Sequence, residues 1–297
     1  MIADNKYCCF NDEELLTITS IIKNRYGIDF TGYEKKSLRR SFARIMGKCR
    51  MDTKKQLLDA ILGEDHSFLN SINDLTVNRT ELFRNPELWE TLEQDILQRL
   101  RFKQDINVWH AGCSSGEEVY SMALVLEKSN LLHKTKTLAT DISTKALAKA
   151  KAGKYSSTLI SRYEKSLQKY QPQNQIEDLF HIDNHLATIR DQYKSHVEFK
   201  YHNLVSDSAQ EKFDIIFCRN VMLYFDDPLK LTVIERLKNA LKDNGFLILG
   251  YYDVLPENAD QHLIQYHNSI QIFQAKTDSV IEVEMDNRLI EFNKISA

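Results

Sequence analysis

The stretch Ile106 to Ser121, I-N-V-W-H-A-G-C-S-S-G-E-E-V-Y-S, decides the fold. It opens as a short apolar run, Ile106, Val108 and Trp109, preceded by the charge-rich Arg101 to Asp105. It then breaks into the small residues Ala111, Gly112, Cys113, Ser114, Ser115 and Gly116, and resumes with helical spacing at Tyr120, Ala123, Leu124 and Leu126. That order is strand, tight turn, helix. In an open parallel sheet such a unit places a ligand crevice between the carboxyl end of the strand and the amino end of the helix. Glycines there let a ligand approach the backbone, and free N–H groups at the helix start meet polar ligand atoms.

The turn is not a dinucleotide fingerprint, because Gly112 and Gly116 lack the third glycine of G-x-G-x-x-G, and no Gly-Lys-Ser/Thr follows to hold a triphosphate. The helix start carries Glu117 and Glu118 instead, which suit the helix dipole whatever else they do. Carboxylates lining a crevice repel a pyrophosphate and favour a ligand with hydroxyls or positive charge. S-adenosylmethionine has both, a ribose and a sulfonium.

The rest of the chain bounds the possibilities. Its 297 residues suggest one large domain or two, and 42% hydrophobic with 27% charged residues is an ordinary globular composition. No apolar run approaches the roughly 18 residues of a membrane span, and the first residues show no secretory signal. Five cysteines without metal spacing fit reduced thiols in a cytoplasm, and no metal site is expected.

Before the decisive stretch lies an all-helical region over residues 1–75. Asn11 and Glu14 form a capping box for a first helix ended by Gly27. From Tyr33 to Arg50 follows a basic helix, in which Lys35, Lys36, Arg39, Arg40, Arg44, Lys48 and Arg50 face one acid, Glu34, a net +6. That density points to docking onto an acidic surface. The aromatic interleaving and overall basicity of a nucleic-acid binder are missing. Two short helices, near Thr53 to Leu62 and His66 to Leu75, complete the region. Asn78, Thr80 and Arg84 then sit in a loop with no evident structural duty, and Asn85-Pro86 reads as a helix start with Asn85 as its cap.

After the glycine turn, a second strand ends in Asp141, 25 residues past Gly116, where an acid accepts bonds from ribose hydroxyls. Residues 155–203 interrupt the alternation and read as an inserted subdomain. Phe213 to Phe217 is a buried strand that exits into Cys218-Arg219-Asn220, polar residues at a ligand-binding position. A helix from Pro228 to Leu241, a strand Phe246 to Leu249 and a last strand Ser269 to Ala275 follow. Residues 276–297 form a tail of undetermined structure.

Taken together, N-R-T-E-L-F-R-N-P, V-W-H-A-G-C-S-S-G-E-E-V-Y-S, A-T-D-I-S and F-D-I-I-F-C-R-N-V-M-L-Y-F-D resemble, in order and spacing, the chemoreceptor glutamate methyltransferases of the CheR type. The likeness runs from about Asn11 to Ala275. It implies an α/β fold: a class I S-adenosylmethionine-dependent, Rossmann-like methyltransferase domain over residues 76–275 with a small inserted β-subdomain, preceded by the helical, receptor-docking domain. It implies S-adenosylmethionine as methyl donor, S-adenosylhomocysteine as product, and glutamates in the cytoplasmic helical region of methyl-accepting chemoreceptors as acceptors. Carried over by position, the cofactor contacts are Asn78, Thr80, Arg84, Glu118, Asp141, Asn203, Leu204, Arg219 and Asn220. Tyr224, with Arg84, faces the methyl group. A cytoplasmic monomer that neither enters a membrane nor binds nucleic acid is expected. The alternatives are a methyltransferase for another carboxylate or small molecule, and a binding module without turnover. Two departures from the family pattern stand out. Gly250 is followed by Tyr251-Tyr252-Asp253, which places an aromatic and a shortened acid near the acceptor side, and the inserted hairpin is short, which favours recognition independent of a receptor tail peptide.

Overall fold

The computed structural model describes residues 10–63, 68, 71, 75, 80–257, 259, 263–267 and 269–275. Asn78, most of the expected helix from His66 to Leu75 and the tail beyond Ala275 lie outside the described residues.

Parallel strands dominate the larger part. β1 (Ile106–Ala111), β2 (Thr135–Asp141), β6 (Val197–Tyr201), β7 (Phe213–Cys218) and β8 (Leu241–Leu249) run parallel, while β9 (Leu263–Gln265) and β10 (Ile272–Ala275) close the edge in antiparallel fashion. The order across the sheet is β6-β2-β1-β7-β8-β10-β9. The chain therefore leaves β1 in one direction, through β2 and β6, and returns to pair β7 on the other side of β1. This reversal creates the switch point at which an open α/β sheet binds ligands, beyond the carboxyl ends of β1 and β7.

Side chains alternate across the sheet and both faces of its centre are covered, so β7 and the second half of β8 read as nearly unbroken apolar runs, whereas β2 and β6 carry polar residues. Val108, Ile215, Phe217, Phe246 and Ile248 share one core with the helix Glu117–Lys128 and the helical segment from Pro86 to Leu100. Trp109, Ile216, Cys218, Leu247 and Leu249 share the other with the helix Asp227–Asn239. Beneath the strand starts, Asp214 is fully buried and takes Lys103 Nζ at 2.5 Å, Lys242 Nζ at 2.7 Å and the Asn107 N–H at 2.8 Å.

The inserted part is a three-stranded antiparallel sheet in the order β3-β5-β4, with β3 at Lys154–Ser156, β4 at Phe180–Asp183 and β5 at Leu186–Ile189. Residues 197–201, which the sequence reading placed inside the insertion, pair instead with β2 as an edge strand of the main sheet. Val197, Phe199 and Tyr201 alternate there with Glu198 and Lys200, as suits a partly exposed edge strand.

The helices Asp12–Tyr26, Lys35–Lys48 and Lys54–Leu62 pack around Leu15, Ile18, Ile22, Phe30, Leu38, Phe42, Ile45 and Leu57 as a separate core. Asn11 and Glu14 form the expected capping box, and Gly27 closes the first helix in a left-handed conformation. The basic helix begins two residues later than expected, because the Glu34 carboxylate accepts the Lys36 and Ser37 N–H groups and caps it. Among the described residues, no helix is long and apolar enough to cross a membrane.

Candidate functional site

The glycine turn after β1 builds one wall of a cleft. Gly112 adopts φ +87°, and a Cβ there would meet Val221 Cγ2 at 2.5 Å, so only glycine permits the close approach of the turn to the loop after β7. The Gly112 and Cys113 N–H groups both reach the Thr140 carbonyl, at 2.8 Å each, and the Ser114 N–H donates to Asp141 Oδ2 at 2.8 Å. Asp141 Oδ1 accepts the Ser143 N–H, also at 2.8 Å. Asp141 thus staples the ends of β1 and β2 together. Burial raises its pKa above the ordinary carboxylate value, and the backbone N–H groups oppose the rise.

The loop after β7 builds the facing wall. Arg219, only 3% exposed in its side chain, donates Nη1 to Glu118 Oε2 at 2.8 Å. Its Nη2 donates to Asn85 Oδ1 at 2.7 Å. Asn85 holds the cap position ahead of Pro86, as the Asn-Pro pair suggests, but its side chain is used elsewhere. It stands at φ +58°, caps nothing with its side chain, and accepts from the buried arginine. The other Glu118 oxygen lies 3.1 Å from Nδ1 of His110, a fully buried ring stacked 4.5 Å from Phe217. Burial alone would raise the Glu118 pKa, but the Arg219 charge and the His110 contact outweigh it and hold the carboxyl below its usual value. Glu117, the other acid of the turn, does not line the cleft. It is buried beside the Ser115 hydroxyl at 2.7 Å and points toward Lys149.

Behind the same loop lies Asp253, fully buried. Its carboxylate accepts the Asn220 N–H, the Gly250 N–H at 2.9 Å and the Leu223 N–H at 3.0 Å. A Cβ on Gly250 would sit 2.6 Å from that carboxylate and 2.7 Å from the Asn220 nitrogen, which accounts for the glycine. The shortened acid that looked like a departure near the acceptor is a brace for Asn220 to Leu223. Tyr251 and Tyr252 beside it are 65% and 67% exposed.

The cleft between these walls measures about 910 Å³ counted to its open mouth. Thr80, Arg84, Glu118, Asp141, Asn203, Leu204, Arg219, Asn220 and Tyr224 all line it, from five separate parts of the chain. Asn78 lies outside the described residues. The basic-helix residues do not line it, and they divide in two. Lys35 Nζ reaches Asp12 at 2.6 Å, and Arg39 binds both Asp12 and the Phe10 carbonyl, so these two hold the first helix. Arg44 Nη2 donates to the Ser41 hydroxyl at 3.1 Å. Lys36 and Arg40 are exposed and make no ion pair among the described residues.

Several polar groups on the cleft wall lack a hydrogen-bond partner among the described residues: Arg219 Nε, the Ser114 hydroxyl and both His202 nitrogens. The Arg84 guanidinium is unpaired as well. Buried polar groups are nearly always satisfied, so such a lining fits a polar, charged ligand. His202 and Ser114 escaped the sequence reading although each adjoins a predicted stretch. His110 left a faint mark there, as the lone ionisable residue in β1.

Comparison with known proteins gives the same direction. Residues 78–270 match the family described as CheR methyltransferase, SAM binding domain, and residues 13–76 match its all-alpha domain. A chemotaxis protein methyltransferase of Borreliella burgdorferi is 31% identical over 268 residues, 85% of this chain and 92% of the relative. That of Listeria monocytogenes is 28% identical over 276 residues, covering 88% and 97%, and that of Vibrio anguillarum 30% identical over 260 residues, covering 84% and 92%.

Proposed function

The chain belongs to the CheR methyltransferase family, and we propose that it methylates glutamate side chains of chemoreceptors from S-adenosylmethionine. The observation that carries the reading is the cleft itself, which the described cofactor-site candidates line at the switch point of the sheet, with no partner for the Arg84 guanidinium among the described residues.

The lining suits the cofactor at both ends. Asp141 offers its remaining lone pairs to ribose hydroxyls, while Asn203 and Leu204 border the nucleoside side. The Glu118–Arg219 pair presents a carboxylate and a guanidinium, complementary to the ammonium and carboxylate of an amino-acid group. When bound, S-adenosylmethionine supplies a methyl group on a positive sulfur that a nucleophile takes in line.

The protein's task is then placement. A glutamate carboxylate, with a pKa near 4.3, is already ionised at pH 7, so no general base is required. The forked donors of Arg84 suit a carboxylate in a fixed plane. Tyr224 borders the same volume and limits where that carboxylate can lie. Correct placement of two reactants is worth on the order of 7–11 kcal/mol. Asp253 holds the loop that carries Asn220 and leads to Tyr224, so the Tyr251-Tyr252-Asp253 sequence supports an assembled site.

Transfer of tritiated methyl from S-adenosylmethionine to receptor-bearing membranes tests the proposal. Methyl esters release methanol in mild base, so the label should be base-labile, and Arg84→Ala and Tyr224→Phe should each lower its incorporation at least about tenfold. Base-stable label would point to another acceptor. Incorporation by both variants at the parent rate would remove the assigned roles.

A further inference from the structure

One cleft-lining residue comes from the helical domain. Tyr33 stands at the end of the loop between the first two helices, yet it borders the same volume as Asp141, Asn203 and Tyr224. The loop is held firmly. Asp29 Oδ1 accepts the Thr31 N–H at 2.9 Å, and its Oδ2 pairs with Lys23 at 2.7 Å. The Gly32 carbonyl accepts the Asp226 N–H at 2.9 Å, and the Glu34 N–H donates to the Tyr224 carbonyl at 2.8 Å, so Tyr33 bridges Phe225 as a two-residue strand contact. Its ring packs edge-on against Phe30 and Phe225, 4.9 Å from each centroid.

Packing explains the ring but not the hydroxyl. Among the described residues the Tyr33 hydroxyl makes no hydrogen bond. Burial, and then the negative charges of Asp141 and Asp29, push its pKa above the ordinary value, so it is a neutral donor within the influence of Asp141. Tyr33 is half-buried and borders the cleft, a setting in which a tyrosine combines a packed ring with a hydroxyl available to a ligand. Asp141 marks the ribose position at the end of β2.

We propose that the Tyr33 hydroxyl hydrogen-bonds the ribose end of S-adenosylmethionine, so that the helical domain supplies part of the cofactor site as well as a docking surface. The proposal rests on the reading of the cleft as the cofactor site. Tyr33→Phe retains the ring and removes only the hydroxyl. Titration calorimetry on the full chain compares parent and variant with S-adenosylhomocysteine and with 5′-methylthioadenosine, which keeps the ribose and adenine but lacks the amino-acid end. Loss of one neutral hydrogen bond predicts a roughly three- to tenfold weaker affinity for both ligands. Equal affinity of parent and variant overturns the proposal, as does a loss confined to S-adenosylhomocysteine, which would place the hydroxyl at the other end. Failure of the parent itself to bind either ligand would instead overturn the cofactor reading of the cleft. A second measurement leaves the packing untouched: 3-fluorotyrosine at position 33 should show a shifted fluorine resonance on saturation with S-adenosylhomocysteine. An unmoved resonance counts against the contact.

Discussion

Asp141 has work beyond a ligand bond, because each of its oxygens already accepts a backbone N–H, one from the glycine turn and one from the next helix entry. An asparagine there can accept only one of them and turns a donor toward the other. Asp141→Asn should therefore lower the unfolding free energy by about 1–3 kcal/mol and weaken S-adenosylhomocysteine at the same time. Denaturant unfolding and calorimetry read the two effects, and unchanged stability would mean that the turn does not depend on this carboxylate. Asp214 allows a test by pH. Burial alone would raise its pKa, but the Asn107 N–H, Lys103 and Lys242 outweigh this and hold it below the ordinary value. Because the folded pKa lies below the unfolded one, near 3.9, its contribution is present above that value and is lost as pH falls through the folded pKa. The stability gap between parent and Asp214→Asn should be constant near neutrality, about 1–3 kcal/mol given the half-exposed lysines, and should shrink below about pH 4. A gap that widened in acid would contradict the assigned sign.

At the scale of elements, the basic helix Lys35–Lys48 has two faces with different duties. Lys35 and Arg39 grip Asp12 at the start of the first helix, and Leu38, Phe42, Ile45 and Met46 form the buried side. Lys36 and Arg40 are exposed and make no ion pair among the described residues, and we propose that they meet an external partner. Exposed charges contribute only about 0–1 kcal/mol each, so their effect lies in steering a partner whose surface is anionic. Lys36→Glu combined with Arg40→Glu should lower receptor methylation several-fold, leave S-adenosylhomocysteine affinity intact, and be imitated by added salt in the parent. Methylation that stayed constant through both the double reversal and a salt series would show that the helix only solvates its domain. Reversal of Arg39 is a poorer probe, since it also breaks the contacts to Asp12 and Phe10.

Across the whole molecule, two cores with separate apolar clusters meet where the Gly32–Glu34 backbone bonds Tyr224 and Asp226. The cleft is lined from both sides of that seam, by Tyr33 and by the sheet, so a ligand seated there is expected to touch both. Binding to the folded chain alone stabilises it by about 2.7 kcal/mol at a hundredfold excess over Kd. S-adenosylhomocysteine should therefore raise the melting temperature of the helical domain together with that of the sheet. Circular dichroism combined with fluorescence of the tryptophans, Trp89 and Trp109, separates the two, because both tryptophans lie in the sheet domain. A shift of the tryptophan transition alone would mean that the domains do not share the ligand.

The sequence by itself determined the local and periodic features. Apolar runs bounded by small residues marked β1 and β7, capping chemistry marked the first helix, an acidic helix start marked Glu118, and polar residues at strand ends marked Asp141, Arg219 and Asn220. These are legible because strand, turn and helix follow from neighbours a few residues apart. Only the tertiary structure decided which polar groups meet across long separations. Asn85 reads locally as a cap but lies against Arg219, 134 residues on, and Asp253 reads as a ligand-side acid but braces Asn220. Tyr33 reads as a helix-entry aromatic but lines a cleft built by another domain. Residues 197–201 alternate as a strand does, but which sheet they join is decided only when β2 is there to pair with them. In each case the partner is chosen by the folding of the sheet, which no short window of sequence contains.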